Sequence, residues 1–331
     1  MPDLAAAPAR HCRRCIGSGP SFSAPSKLLE LPPAPEANPA YRFLLPETAP
    51  PTSGAQLLQR LGERFADPPC VTDPLVQRWQ SIYARSPQRF SSQIAQTLPL
   101  LGLALDEVER YRLPGEFALL PIVESWYRPE ARGAGDHVGL WQLGRSTATH
   151  LELPVSNAFD GRMDAFASTD AALRYLAWMQ NQFGDWKLAV LGFNAGPYRL
   201  RQQLANQADV RFSAQARLPA GLPGSSYEHV AKMKALACLL TQPERFGIEL
   251  PEETRIDPLV QVSLPPGRST LDAIAADREV PSNLLIQLNP AFRNGVVAAN
   301  APRRLLVPES LAGRFDAFQL PLAATPAAGS R

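Results

Sequence analysis

The sequence predicts a mainly α-helical domain followed by a small α+β module, with a leading segment that is largely disordered. Three observations carry this. From Asp73 onward, segments such as LVQRWQSIYAR, RFSSQIAQTLPLLGLAL and LDEVERYRL place apolar residues three and four apart, which gathers them on one face of a helix. No run of alternating apolar and polar residues, the mark of a half-buried strand, falls between the helical segments. After Gln242 the texture changes to strand-like VQVSL, helical STLDAIAADR, helical PSNLLIQLN and strand-like RRLLVP.

Residues 1–69 are rich in Pro, Ala and Ser, and PPAPEANP and PETAPPTSG hold no sustained apolar period. They are expected to be disordered or loosely attached, apart from a short helix near 56–65. The helical domain is expected over 70–242. Beyond its leading helices it should contain helices over 114–125, 168–183, 186–195, 198–205 and 227–240, separated by loops with Gly and Pro. PERFGIELPEE opens a linker over 243–258, the βααβ module takes 259–310, and 311–331 forms a tail.

Thirty-three basic and 31 acidic side chains among 331 residues leave a formal charge of +2, too small and too scattered for a phosphate-tracking surface, so nucleic acid is not an expected partner. No apolar run reaches the roughly 18 residues of a membrane-spanning helix. Arg10, Arg13 and Arg14 lead into IGSGPSFSAPSK and not into an apolar stretch, so no export signal or lipid-attachment site is visible. Cys12 and Cys15 lack the second pair that would complete a zinc tetrahedron, so neither a metal nor a cofactor is expected. Cys70 and Cys238 flank the helical domain; a disulfide is open to them in an oxidising compartment, but two separately buried thiols are the expected state.

The candidate for chemistry is Glu124. On a helix over 114–125 the apolar stripe runs Leu113, Phe117, Leu120, and the next position on that face is Glu124. A carboxyl at the end of a buried stripe is partly desolvated and can hold a proton near neutral pH, as a glycosidic general acid must. Glu116 lies on nearly the same face but eight residues away, about 12 Å at the helical rise. That exceeds the roughly 5 to 9.5 Å between the carboxyls of two-acid glycosidases, so Glu116 is expected to be structural.

Around Glu124, three segments occur in order: LPGEFALLPIVES, GLWQ and GFNAG. Together they resemble the signature segments of the soluble-type lytic transglycosylases, closest to their membrane-bound type D branch, over roughly residues 70–240. The resemblance implies a lysozyme-like helical domain that cleaves the β-1,4 MurNAc–GlcNAc bond of peptidoglycan without water, leaving 1,6-anhydromuramyl ends. It implies Glu124 as acid and then base, with Ser125, Gly139, Trp141, Gln142, Phe193, Asn194, Tyr227 and His229 binding the saccharide. A tryptophan face suits the C–H face of a pyranose, and an amide suits its hydroxyl or N-acetyl groups. Where such proteins carry Ser nine residues after the glutamate, this chain has Gly133. Where they carry Tyr before the asparagine it has Phe193, and His229 stands at another tyrosine position.

The C-terminal module resembles a LysM glycan-binding repeat, with GRST where such repeats open on a Gly-Asp-Thr turn. The partners so implied are peptidoglycan glycan strands, and the place of action is the periplasm or outer membrane. A murein-binding protein without turnover and a hydrolytic muramidase on the same fold remain the alternatives.

Overall fold

A computed structural model of the chain describes residues 51–205 and 218–315. Helix α1 (Gly54–Gly62) opens at Ser53, whose side chain accepts from the Gln56 N–H, satisfying one of the unpaired donors at a helix start. It buries Leu57, Leu58 and Leu61 in the main core, each contributing roughly 1.5–3 kcal/mol. The expected looseness up to residue 69 is therefore corrected for 51–69. The short helix expected near 56–65 is α1, two residues nearer the start, and its three leucines tie the segment to the core. Residues 1–50 lie outside the described residues.

The same helix fixes the expected linker. The Gly54 and Ala55 N–H groups donate to the Thr254 and Glu252 carbonyls, the Ile256 N–H donates to Thr52, and Ile248 and Ile256 are buried in the main core. Residues 243–258 are therefore a packed strap, hydrogen-bonded to the start of α1 and anchored in the main core by its two isoleucines.

Helix α2 (Pro74–Tyr83) starts on the Asp73 side chain. Helix α3 (Pro87–Arg110) buries Phe90, Ile94, Leu98, Leu101, Leu105 and Val108 in steps of three and four. The single helix expected over 114–125 is instead a 3-10 turn, Gly115–Leu119, leading into α4 (Leu120–Ser125). Pro121 is the reason: it has no N–H to give the Phe117 carbonyl, as a continuous α-helix would require. Helix α4 stops where Trp126 turns left-handed at φ 55°.

Helix α5 (Arg145–His150) follows a loop, and α6 (Ala165–Phe183) starts earlier than expected because the Asp164 side chain caps it. Helix α7 (Trp186–Ala195) packs against α6, α8 (Pro197–Ala205) and α9 (Gly224–Thr241). Cys70 and Cys238 form a disulfide joining the segment before α2 to α9. This corrects the expectation of two separate thiols: the fold brings their Cα atoms to 4.7 Å, within bonding reach. Cys12 and Cys15 lie outside the described residues. Among the described residues no helix is long and apolar enough to cross a membrane.

The C-terminal module has strands β1 (Leu259–Ser263) and β2 (Arg304–Pro308), antiparallel with Gln261 opposite Leu306. Between them lie α10 (Leu271–Asp277) and α11 (Ser282–Leu288), and α12 (Glu309–Ala312) follows β2. Its core of Val262, Leu271, Ile274, Leu285, Leu305 and Val307 also takes in Phe315, so the module reaches past the expected limit at 310. Val138, Phe159 and Met163 of the helical domain are buried in that same core. The two units are further joined by the Asp160 N–H donating to the Ala291 carbonyl and by Arg293–Asp160 and Arg304–Asp164 ion pairs at 2.8 and 3.2 Å.

Candidate active site

Glu124 sits in the last turn of α4 with its side chain 13% exposed. Next to it, Ser125 is buried and its hydroxyl donates to the Leu140 carbonyl at 2.9 Å, pinning the end of α4 to the following loop. Glu116 points elsewhere, accepting from the backbone N–H groups of Ala66 and Asp67 at 2.9 and 3.0 Å. Burial pushes its carboxyl up, with those two hydrogen bonds working against the shift.

The segment GLWQ forms a tight reversal, with the Val138 N–H on the Leu143 carbonyl and the Gln142 N–H on the Gly139 carbonyl. Gly139 has φ +85°, and a Cβ there would come within 1.9 Å of the Arg162 carbonyl oxygen, so only glycine permits the approach. Arg162 supports the loop from below. Its guanidinium is fully buried, pairs with Asp160 at 2.9 Å and donates to the Asp136 and Leu143 carbonyls. Burial works against ionising Asp160, but hydrogen bonds and charge from Arg162 outweigh it and hold that carboxyl below its usual range.

At Gly133 a Cβ would come within 2.3 Å of Gln142 Oε1. The Gln142 amide therefore fills the space that a side chain at 133 would take, and its Nε2 donates to the Gly139 carbonyl at 2.9 Å.

The opposite wall comes from α7 and α9. His229 lies on α9 with Nε2 3.2 Å from Glu124 Oε1 and Nδ1 2.7 Å from the Ser225 carbonyl. A carbonyl only accepts, which assigns a hydrogen to Nδ1 and leaves Nε2 to share a proton with Glu124. Burial opposes the charged ring, but the Glu124 hydrogen bond, its charge and the Ser225 carbonyl together outweigh that, and Lys232 pushes weakly the other way. The net effect raises the His229 pKa above 6.5. Asn194, in the last turn of α7, accepts from Ser226 Oγ at 2.7 Å and directs Nδ2 toward His229 Nε2 at 3.5 Å.

Glu124, Gln142, Phe193, Asn194 and His229 line one cleft of about 400 Å³. Four other residues expected to bind saccharide do not line it. Trp141 is fully buried and its indole N–H donates to Thr169 Oγ1 at 3.0 Å, so it is a core aromatic with no free face. Gly139 is buried beneath the loop and serves the turn. Ser125 faces Leu140, and the Tyr227 hydroxyl donates to the Pro219 carbonyl and accepts from the Leu222 N–H. In these corrections the Ser125, Trp141 and Tyr227 side chains satisfy backbone or core partners within the protein, and Gly139 has no side chain to offer.

The cleft also includes residues absent from the expected set, notably Tyr175, Thr147, Ser225 and His137. Tyr175 stacks on Trp178 with ring planes 4° apart, and its ring lies 6.2 Å from that of Phe193. Its signal in the sequence was a lone phenol on the apolar face of α6.

Residues 106–215 match the family described as Transglycosylase SLT domain, and residues 260–324 the one described as Lytic transglycosylase MltD, LysM-like domain. The chain is 30% identical over 221 residues to the membrane-bound lytic murein transglycosylase D of Escherichia coli strain K12, covering 66% of this chain and 48% of that protein. The same figures hold for the protein of that name in Escherichia coli O6:H1. A protein of Alteromonas sp. (strain M-1) named for tributyltin chloride resistance is 35% identical over 113 residues, 34% of this chain and 55% of its own length. The chain spans about half the length of the curated relatives it matches. The chain thus carries a Transglycosylase SLT domain followed by a LysM-like domain of the MltD type, and over 66% of its length it is similar to the membrane-bound lytic murein transglycosylases D.

Proposed function

We propose that the chain cleaves the glycan strands of peptidoglycan as a lytic transglycosylase, with Glu124 carrying the proton in both directions. The observation that carries this reading is a single half-buried carboxyl in a 400 Å³ cleft, while Glu116 is engaged by backbone N–H groups. One carboxyl suffices when the nucleophile belongs to the substrate. Glu124 gives its proton to the glycosidic oxygen as the bond from that oxygen to the muramyl C1 breaks. The muramyl O6 hydroxyl then bonds to C1 and its proton returns to Glu124. No water is consumed, and the products are an anhydromuramyl end and a free hydroxyl.

Around that exchange the other cleft residues hold and orient. Asn194, with Oδ1 taken by Ser226, offers Nδ2 to an acetamido carbonyl, and Gln142 offers its Oε1 to a sugar hydroxyl. Tyr175 and Phe193 supply the apolar wall expected of Trp141. His229, anchored through Nδ1, is a positioning residue that shares the proton of Glu124. Action at the cell wall, in the periplasm or at the outer membrane, follows from the substrate.

His229 also favours a second reading, murein binding without turnover. An imidazolium 3.2 Å from Glu124 keeps the shared proton on nitrogen and off the oxygen that must donate it.

The full chain carrying Glu124→Gln tests the assignment, because the amide keeps the shape and loses the transferable proton. Release of soluble fragments from isolated peptidoglycan should stop while co-sedimentation with it persists. Release at the wild-type rate would remove Glu124 from the chemistry.

A further inference from the structure

A second cleft, of about 340 Å³, lies on the seam between the two units and is lined by Glu130, Arg132, Asn157, Met163, Arg293 and Asn294. Its two arginines come from different units, Arg132 from the loop after α4 and Arg293 from the turn after α11. Arg132 is exposed and forms no ion pair among the described residues. Arg293 gives one Nη to the fully buried Asp160. Its buried Nε has no partner among the described residues, an unusual state for a charged donor.

The position of the cleft is as informative as its lining. The loop over 130–138 has Ala134 and His137 on the side of the Glu124 cleft and Glu130 and Arg132 on the side of the seam. Backbone bonds hold the loop closed, with Arg132 bridged to Val138 and the Gly133 N–H on the His137 carbonyl. One wall thus separates the two clefts. Asp160 and Met163, from the segment that supports this wall through Arg162, also reach the seam.

We propose that the seam cleft is a second substrate contact, in which Arg132 and Arg293 hold carboxylates of the peptide branches while the glycan occupies the Glu124 cleft. This inference rests on the peptidoglycan reading above. Two guanidinium groups suit carboxylates because each presents paired N–H donors to both oxygens. Asn157 and Asn294 add amides for the peptide backbone, and Glu130 provides a counter-charge for a branch that bears an amine. The contact makes affinity depend on the peptide as well as on the sugar. The LysM-like module contributes to it through Arg293 and Asn294, independently of any glycan site of its own.

The test uses the full chain with Glu124→Gln to block turnover and measures calorimetric affinity for three probes. These are a murein oligosaccharide bearing its peptides, the same oligosaccharide stripped of them, and the free peptide. The peptide-bearing form should bind about tenfold more tightly than the stripped form, roughly 1.4 kcal/mol. Adding Arg132→Ala should erase that difference and leave the stripped form unaffected, and Arg132→Glu should do so more strongly. Equal affinity for the two oligosaccharides, or an Arg132→Ala loss shared by both, overturns the proposal. Failure to bind the stripped form counts against the peptidoglycan reading alone, provided the free peptide binds and loses that binding in Arg132→Ala.

Discussion

Replacing His229 by Phe keeps a ring of similar size and removes both nitrogens. In the native protein Nε2 lies 3.2 Å from Glu124 Oε1, with both side chains 13% exposed, and Nδ1 lies 2.7 Å from the Ser225 carbonyl. A hydrogen bond involving a charged group contributes roughly 1.5–3 kcal/mol, and residual exposure puts this one near the lower end. The fold raises the His229 pKa above 6.5, so the folded protein takes up the proton more readily than the unfolded chain. The stabilisation is therefore complete below pH 6.5 and fades as pH rises through the folded value. Urea unfolding at pH 5.5 should show the Phe variant less stable by about 1–2 kcal/mol, and at pH 9 the difference should shrink to what the neutral ring's Nδ1–H bond to Ser225 contributes. In the rate profile, the alkaline limb of the wild type should fall above pH 6.5 with the imidazole, and in the variant that limb should move because no imidazole retains the shared proton. An identical stability loss at both pH values together with an unshifted alkaline limb would refute proton sharing between these residues.

Gly139→Ala should destabilise the protein by at least about 2 kcal/mol, because the new methyl meets the Arg162 carbonyl at 1.9 Å from a backbone at φ +85°; thermal unfolding reads this directly. Trp141→Phe should cost on the order of 1 kcal/mol in stability, by stranding Thr169, whose hydroxyl accepts the indole N–H. Its affinity for murein oligosaccharides should be unchanged, and a selective loss of affinity would restore Trp141 to the binding surface. Replacing Cys70 and Cys238 by Ser opens a loop with a sequence separation of 168, for which chain entropy gives roughly 5 kcal/mol and typical measurements give 2–4; urea unfolding of the double variant should fall in that range.

The helices from α6 to α9 are legible in the sequence because their apolar period is sustained and their ends carry Asp, Gly or Pro. Helix α1 was legible only as a short helix near 56–65; its attachment was not, because that depends on the strap over 243–258 that it meets, and no local pattern reports that meeting. Pro121 carried the signal for the break before α4, but the apolar stripe around it reads the same through a 3-10 turn as through a helix. Glu124 was readable as a carboxyl ending a buried stripe. The misreading of Trp141 has a different origin. An aromatic in a Gly-rich turn looks alike whether it stacks on a sugar or fills a core, and the deciding partner, Thr169, lies on another element. The seam cleft was equally hidden, since its arginines are brought together by the docking of the two units.

Digestion of isolated peptidoglycan by the full chain, with mass spectrometry of the soluble products, distinguishes anhydro ends from hydrolysed ones. The soluble products should be muropeptides about 18 Da lighter than their hydrolysed counterparts, because O6 closes on C1 and no water is added. Products of hydrolysed mass with reducing ends would contradict it, and so would the absence of any released product from murein to which the protein binds.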